Sequence, residues 1–198
     1  MFNYWIFIFV LFSSIFPLIA ILKTRGVFAI KSIVGLFIVF RFLTDFLCFY
    51  FETFFKNSNP LFHFTLPINF LLIFLLFSKE ISMKKSQIPI YIIVISASIL
   101  DFKNNTIMGP ISIISSVTYL LISIIGSYVI YHVEINNNIK YLIFPITAYY
   151  ALLFFYSLFE VQIGNSKELY NSFFIIIALA TFFLNIIFTK GVWLKRIK

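Results

Sequence analysis

Along the chain, long apolar runs alternate with short polar breaks, and the runs are as long as a bilayer is thick. They occupy 4–22, 32–51, 60–78, 109–131, 141–159 and 169–188. A hydrocarbon core about 30 Å thick needs roughly 20 residues of helix at 1.5 Å rise each, and these six runs meet that requirement. A seventh, 88–100, is short and reaches the required length only by borrowing its flanks, as 86–102. The pattern predicts an all-α, polytopic membrane protein: one domain, 1–198, folded as a seven-transmembrane-helix bundle.

Charge decides whether the short run crosses. With seven crossings, eleven basic residues fall on one side: Lys23, Arg25, Lys31, Lys79, Lys84, Lys85, Lys140, Lys190, Lys195, Arg196 and Lys198. Three fall on the other: Lys56, Lys103 and Lys167. Without a crossing at 88–100 every later loop changes side, and the division becomes eight against six. Basic residues near membrane spans stay in the cytoplasm, so seven spans are predicted, with the N-terminus outside and the C-terminus cytoplasmic. The first run lacks the basic start of a signal peptide and is too long for one, so it is expected to be a retained span.

Composition agrees. The chain is 62% hydrophobic and 11% charged, with a mean hydropathy of +1.04, against about 45–50% and 25% in soluble domains. A net charge of +8 would suggest nucleic acid in a soluble chain, but here the basic residues are topology signals. The partner they imply is the lipid bilayer, and the loops leave no room for a soluble catalytic or nucleic-acid-binding domain. Cys48 is the single cysteine and has no partner for an internal disulfide.

The polar residues inside the spans are the candidate chemistry. Arg41 and Asp45 lie four apart on the second span and share a face, which Cys48 and Glu52 continue. By helix rise Arg41 sits about 15 Å from the cytoplasmic end, near the midplane. A charge there costs roughly 2.5–3.5 kcal/mol on insertion scales, so it points inward and is paired. On the third span, Asn69 and Thr65 match Arg41 and Asp45 in depth and are expected to complete their hydrogen bonds. Such a centre either locks two helices together or binds a ligand or proton, and both readings stand at this point. His63 lies near the outer end of the third span with no second ligand at metal-binding spacing, so no metal site is expected. Ser112, Ser116, Tyr119, Ser123, Gly126 and Ser127 form a small-residue stripe on the fifth span, expected to pack closely against a neighbour. Tyr149, Tyr156 and Glu160 share a face of the sixth span, and Thr181 with Asn185 makes a weaker polar pair on the seventh. An outward-opening polar cavity lined by Asp45, Glu52, His63, Tyr156 and Glu160 is expected.

Some chemistry is missing. The chain carries no Ser-His-Asp constellation, no His-Glu-Xaa-Xaa-His and no phosphate-binding Gly-rich loop, so neither an enzyme nor a cofactor is expected. Asn59-Pro60-Leu61-Phe62-His63, the run Tyr149-Tyr150-Ala151-Leu152-Leu153-Phe154-Phe155-Tyr156, Asn185 and Gly191-Val192-Trp193 together resemble a loose group of small seven-helix inner-membrane proteins of Gram-negative bacteria. The resemblance implies a bacterial cytoplasmic membrane location and brings no activity with it. In that group the third helix often carries a Glu near the position of Asn69. The function expected from the residues is a sensor or receptor-like module that binds a small or lipidic ligand in the outer half of the bundle and acts through a protein partner. A small-molecule or proton-coupled transporter and a structural subunit of a membrane complex are the alternatives. The topology is open to test: Lys103→Cys should react with an impermeant thiol reagent only from outside, and reaction only from the cytoplasm would overturn it.

Overall fold

In a computed structural model, the residues described are 2–25, 32–55, 59–81, 96, 113–132, 137–159, 163 and 166–193. They form six long helices: α1 (Phe2–Arg25), α2 (Ile33–Phe55), α3 (Asn59–Ile81), α4 (Ile113–His132), α5 (Asn137–Leu158) and α6 (Lys167–Trp193). These correspond to six of the predicted spans; the run 88–100 lies outside the described residues. Hydroxyl caps start two of them. Ser32 Oγ accepts from Gly35 N at 3.0 Å, and Ser166 Oγ accepts from Leu169 N at 3.4 Å, each satisfying a first-turn amide that the helix itself leaves unpaired.

The protein is all-helical, and four helices contain stretches long and apolar enough to cross a membrane: Tyr4–Lys23, Ile33–Phe55, Tyr141–Leu158 and Glu168–Gly191. Shorter apolar stretches, Phe64–Phe77 and Ser116–Tyr131, lie in α3 and α4. The outside of the bundle is as apolar as the inside. Phe12 is 63% exposed and Phe144 65%, while Phe37 and Phe188 are 0% and 1% exposed. A water-soluble fold does not leave so many phenylalanines outside; a lipid-facing one does.

The helices close into a ring. Each packs on the next in chain order, and α6 packs back on α1. Pairs of contacts set their directions. Phe7 meets Phe174 and Ser13 meets Asn185, so α1 and α6 run parallel. Phe37 meets Phe188 and Arg41 meets Thr181, so α2 opposes α6. Tyr149 meets Thr181 and Tyr156 meets Phe173, so α5 also opposes α6. Tyr119 meets Tyr150 with the rings tilted by 44°, and Gly126 abuts Thr147, so α4 opposes α5. The connection between α2 and α3 is only residues 56–58, and the two helices pack as a hairpin. It follows that α3 and α4, neighbours in the ring, run in the same direction.

The ring therefore has a Phe2 end and an Arg25 end. Lys23, Arg25, Lys79, Lys140 and Lys190 lie on the final or first turns at the Arg25 end, with Glu80; Lys167, Glu52 and Glu168 lie towards the Phe2 end. Packing along the axis differs between helices: in the Phe2 half α3 and α4 bury Leu61, Thr65, Leu66, Ser116, Thr118 and Tyr119. On α1, α2, α5 and α6, every residue with a described side chain on the Phe2 side of Ser13, Cys48, Tyr150 and Ala178 keeps some exposure. Towards the Arg25 end the core is dense, with Ile21, Phe37, Phe77, Val129, Ile143, Ile146, Leu184 and Phe188 buried. Pro17, Pro67 and Pro145 lie inside α1, α3 and α5, and each removes one amide from its helix's hydrogen-bond ladder.

The small-residue stripe of α4 packs as expected. Ser116, Ser123 and Gly126 are buried, and α4 lies against α5 at this face. Gly126 has no room for a side chain: a β-carbon there would collide with the Thr147 hydroxyl, itself donating to Ile143 O at 2.8 Å. Gly126→Ala should therefore lower stability by about 1–3 kcal/mol. Adding Thr147→Ala should restore part of that loss, read as a non-additive thermal-unfolding cycle. Strict additivity would show that the two helices do not meet here.

Candidate functional site

The centre of the ring is polar, and Arg41 organises it. Its side chain comes from the middle of α2, where burial in a membrane-type interior makes an unpartnered charge costly. The guanidinium lies over the ring of Tyr149 on α5, Cζ 4.7 Å from the centroid, a cation–π contact that gains strength when desolvated. One terminal nitrogen donates to Thr181 Oγ1 on α6 at 3.4 Å, and the Thr181 hydroxyl donates to Tyr149 Oη at 3.3 Å. One side chain of α2 is thus held by a ring on one helix and a hydroxyl on another, and these two are joined to each other.

The set extends to the remaining neighbours. Asp45, one turn along α2, acts electrostatically on Arg41 and lies beside Ser14 of α1, whose hydroxyl donates to Leu11 O at 2.8 Å. Asn185, one turn beyond Thr181, donates to Ser13 Oγ at 2.9 Å, and both are buried. Tyr150 is within electrostatic reach of Arg41 and packs on Tyr119 of α4 at 5.8 Å. Polar contacts around one cation therefore join α1, α2, α5 and α6 directly, and α4 through the tyrosine pair. Pro17 adds to this: with no amide at that position, the Ser13 carbonyl loses its helical donor.

Two atoms in this centre are buried and lack hydrogen-bond partners: Arg41 Nε, a donor, and Asp45 Oδ2, an acceptor. The direct pairing expected of these residues is replaced by contacts between Arg41 and α5 and α6. Depth matching with the third span also proves misleading. Thr65 is buried and Asn69 half-buried on α3, but among the described residues the guanidinium's side-chain hydrogen bond goes to Thr181 and to neither of them. Two residues at the same depth can still face different parts of a ring.

The other candidates divide by position. Glu52 and Tyr156 are half-buried, each two turns closer to the Phe2 end than Asp45 and Tyr149 respectively, and the Tyr156 ring lies beside Phe173. They line the loosely packed half of α2 and α5. The side chains of His63 and Glu160 lie outside the described residues. Towards the Arg25 end the centre is closed by phenylalanines, Phe37 against Phe188 at 5.5 Å, both fully buried, together with Phe77. Compared with protein-family models, curated proteins and solved structures, the chain finds no match.

Ser13 and Ser14 are the residues that sequence reasoning missed. They form an adjacent hydroxyl pair in an otherwise apolar span, four residues before a proline, and that combination was the available signal. A structural consequence is testable. Asp45→Ala removes the carboxylate but keeps the buried cation, so it should destabilise more than the double variant Arg41→Met/Asp45→Leu, by about 2 kcal/mol or more. Equal losses in thermal unfolding would show that the two charges are not held in a shared interior.

Proposed function

We propose that this chain is a seven-span protein of the bacterial cytoplasmic membrane, N-terminus outside, which binds a small or lipidic ligand at the Arg41–Asp45 centre and passes the bound state to a separate protein partner. Three features support the topology. The chain leaves α3 at the Arg25 end and enters α4 at the Phe2 end, because those helices run the same way; a connection between opposite ends crosses the layer an odd number of times. Residues 82–112 contain the apolar run 88–100, and the seven-span reading takes that run as the crossing. The basic residues of the helix ends gather at the Arg25 end, the pattern of a cytoplasmic face.

The observation that carries the functional reading is the uneven packing. Towards the Phe2 end α1, α2, α5 and α6 carry no fully buried described side chain, although α3 and α4 do, while towards the Arg25 end Phe37, Phe77 and Phe188 are buried. A polar centre reached from one side suits a receptor better than a carrier, which needs a path to both sides. A centre serving only to lock helices needs no path at all. Partly open, mostly apolar walls with a few convergent polar groups are what small-ligand sites have in common. The short loops leave the output to a partner.

The experiment uses Leu153→Cys in a Cys48→Ala background, placing a thiol at a half-buried position of α5 one turn from Tyr149 towards the Phe2 end. An impermeant maleimide should label it in right-side-out membrane vesicles and not in inverted ones. Labelling from both sides would favour transport. Failure to label from either side, in protein that remains folded by its thermal transition, would favour a purely structural centre.

A further inference from the structure

Arg41 and Asp45 stand one turn apart on α2, and each leaves unused what the other needs. Arg41 Nε is a buried donor without an acceptor, and Asp45 Oδ2 is a buried acceptor without a donor. Residues four apart on a helix have β-carbons about 5–6 Å apart, so the guanidinium can reach the carboxyl group by turning about its own side-chain bonds. Here it faces elsewhere. It lies over the Tyr149 ring, at hydrogen-bond range of that residue, and donates to Thr181 Oγ1 at 3.4 Å. An ionised oxygen buried without a donor is far more costly than a neutral one, so an arginine turned away from its neighbouring acid demands an explanation.

Ser14 supplies it. A serine hydroxyl has one hydrogen to give, and Ser14 gives its hydrogen to Leu11 O at 2.8 Å. Towards Asp45, which lies at hydrogen-bond range, Ser14 Oγ therefore offers only lone pairs. Two acceptors facing each other repel, whereas a proton between them makes a hydrogen bond. We propose that Asp45 is an exchangeable proton site, that the arrangement described here is its protonated form, and that loss of the proton swings the Arg41 guanidinium from Tyr149 and Thr181 onto Asp45. In the protonated form the acid donates to Ser14 Oγ, its other oxygen is a neutral carbonyl, and Arg41 has no anion to turn to. On deprotonation the proton passes to water, the carboxylate gains its charge, and Arg41 Nε donates to it in a charge-assisted hydrogen bond. The Ser14 hydroxyl can then rotate from Leu11 O to donate to the carboxylate as well.

Such a switch acts on helix packing and requires no bound ligand. With the proton in place, Arg41 ties α2 to α5 and α6. Without it, the main partner of Arg41 lies on its own helix, and α2 is released from both. Other groups face this centre. On α2, Cys48 and Glu52 continue the face, Glu52 two turns nearer the Phe2 end. From α1, Ser14 meets Asp45, and Tyr4 lies against Phe49 one turn further on. Tyr149 and Tyr150 come from α5 and Thr181 from α6. On α3, Thr65 is buried, and His63 stands half a turn nearer the Phe2 end with its side chain outside the described residues. Because Cys48, Glu52, His63 and the tyrosines also titrate, the proton has to be assigned by replacing Asp45 itself.

Magnetic resonance of isotopically labelled arginine, in nanodiscs, tests the swing. The chain has three arginines, Arg25, Arg41 and Arg196. The variant Arg25→Lys/Arg196→Lys keeps the charge at both outer positions and leaves Arg41 as the sole source of an Nε–H signal. As pH is raised, that signal should shift downfield, because Nε gains a carboxylate acceptor. The infrared carbonyl band of a protonated carboxyl group should disappear with the same midpoint. Asp45→Asn, added to this background, should remove the band and hold the arginine signal at its low-pH position at every pH. Asparagine reproduces the neutral, donating form of the acid, so this variant should fold; its failure to fold where the parent does would count against the protonated assignment. An arginine signal that stays fixed over the whole pH range in which the protein keeps its thermal transition would overturn the switch. So would a signal that shifts equally in Asp45→Asn. A carboxyl band that is absent from the parent at every pH, or that survives unchanged in Asp45→Asn, would overturn the proton site.

Discussion

A cation in the middle of an apolar helix has to be solvated by the protein itself, and most of what distinguishes this bundle follows from how Arg41 is solvated. In a bilayer, burying one more phenylalanine against another gains little over leaving it in lipid. Apolar packing therefore tolerates many arrangements of these helices. The guanidinium does not. It requires an aromatic face and an acceptor at fixed distances, and Tyr149 and Thr181 supply them from two helices far from α2 in sequence. Those contacts bring α5 and α6 to α2 at one height and one rotation. The Asn185–Ser13 hydrogen bond then fixes α1 against α6 one turn away.

The rest of the packing serves this arrangement in two ways. At the Arg25 end, large side chains such as Phe37, Phe77 and Phe188 are fully buried, and the close approach of Gly126 to Thr147 brings α4 tight against α5. At the Phe2 end the same helices keep exposed or half-buried residues, including Glu52 and Tyr156. That asymmetry, more than any single residue, is what the receptor reading rests on.

Much of the architecture was legible in the sequence because hydrophobic length is a strong signal and needs no knowledge of packing. The runs behind α1, α2, α3, α4, α5 and α6 could be read directly, as could the shared face of Arg41 and Asp45. The shared face of Tyr149 and Tyr156 and the stripe around Gly126 follow from residue spacing alone. Helix rise gives height but not direction around the ring, so Asn69 and Thr65 were matched to Arg41 at the right depth while the partners came from α5 and α6. Thr181 and Asn185 look like a weak polar pair in the sequence, because nothing there shows that the last helix packs against the first. Ser13 and Ser14 were overlooked for the same reason: a hydroxyl pair gains meaning only once Asn185 and Asp45 are seen to lie beside it.

The central claim is that the Arg41 guanidinium couples α2 to α5, and a double-mutant cycle between Arg41→Met and Tyr149→Leu, read as thermal stability of the purified protein, measures that coupling most directly. A desolvated cation–π contact should give a coupling energy of about 1–2 kcal/mol, with each single variant losing most of what the double variant loses. Stabilities that add within about 0.5 kcal/mol would mean that the arginine and the tyrosine act independently, and the account of this centre would not stand.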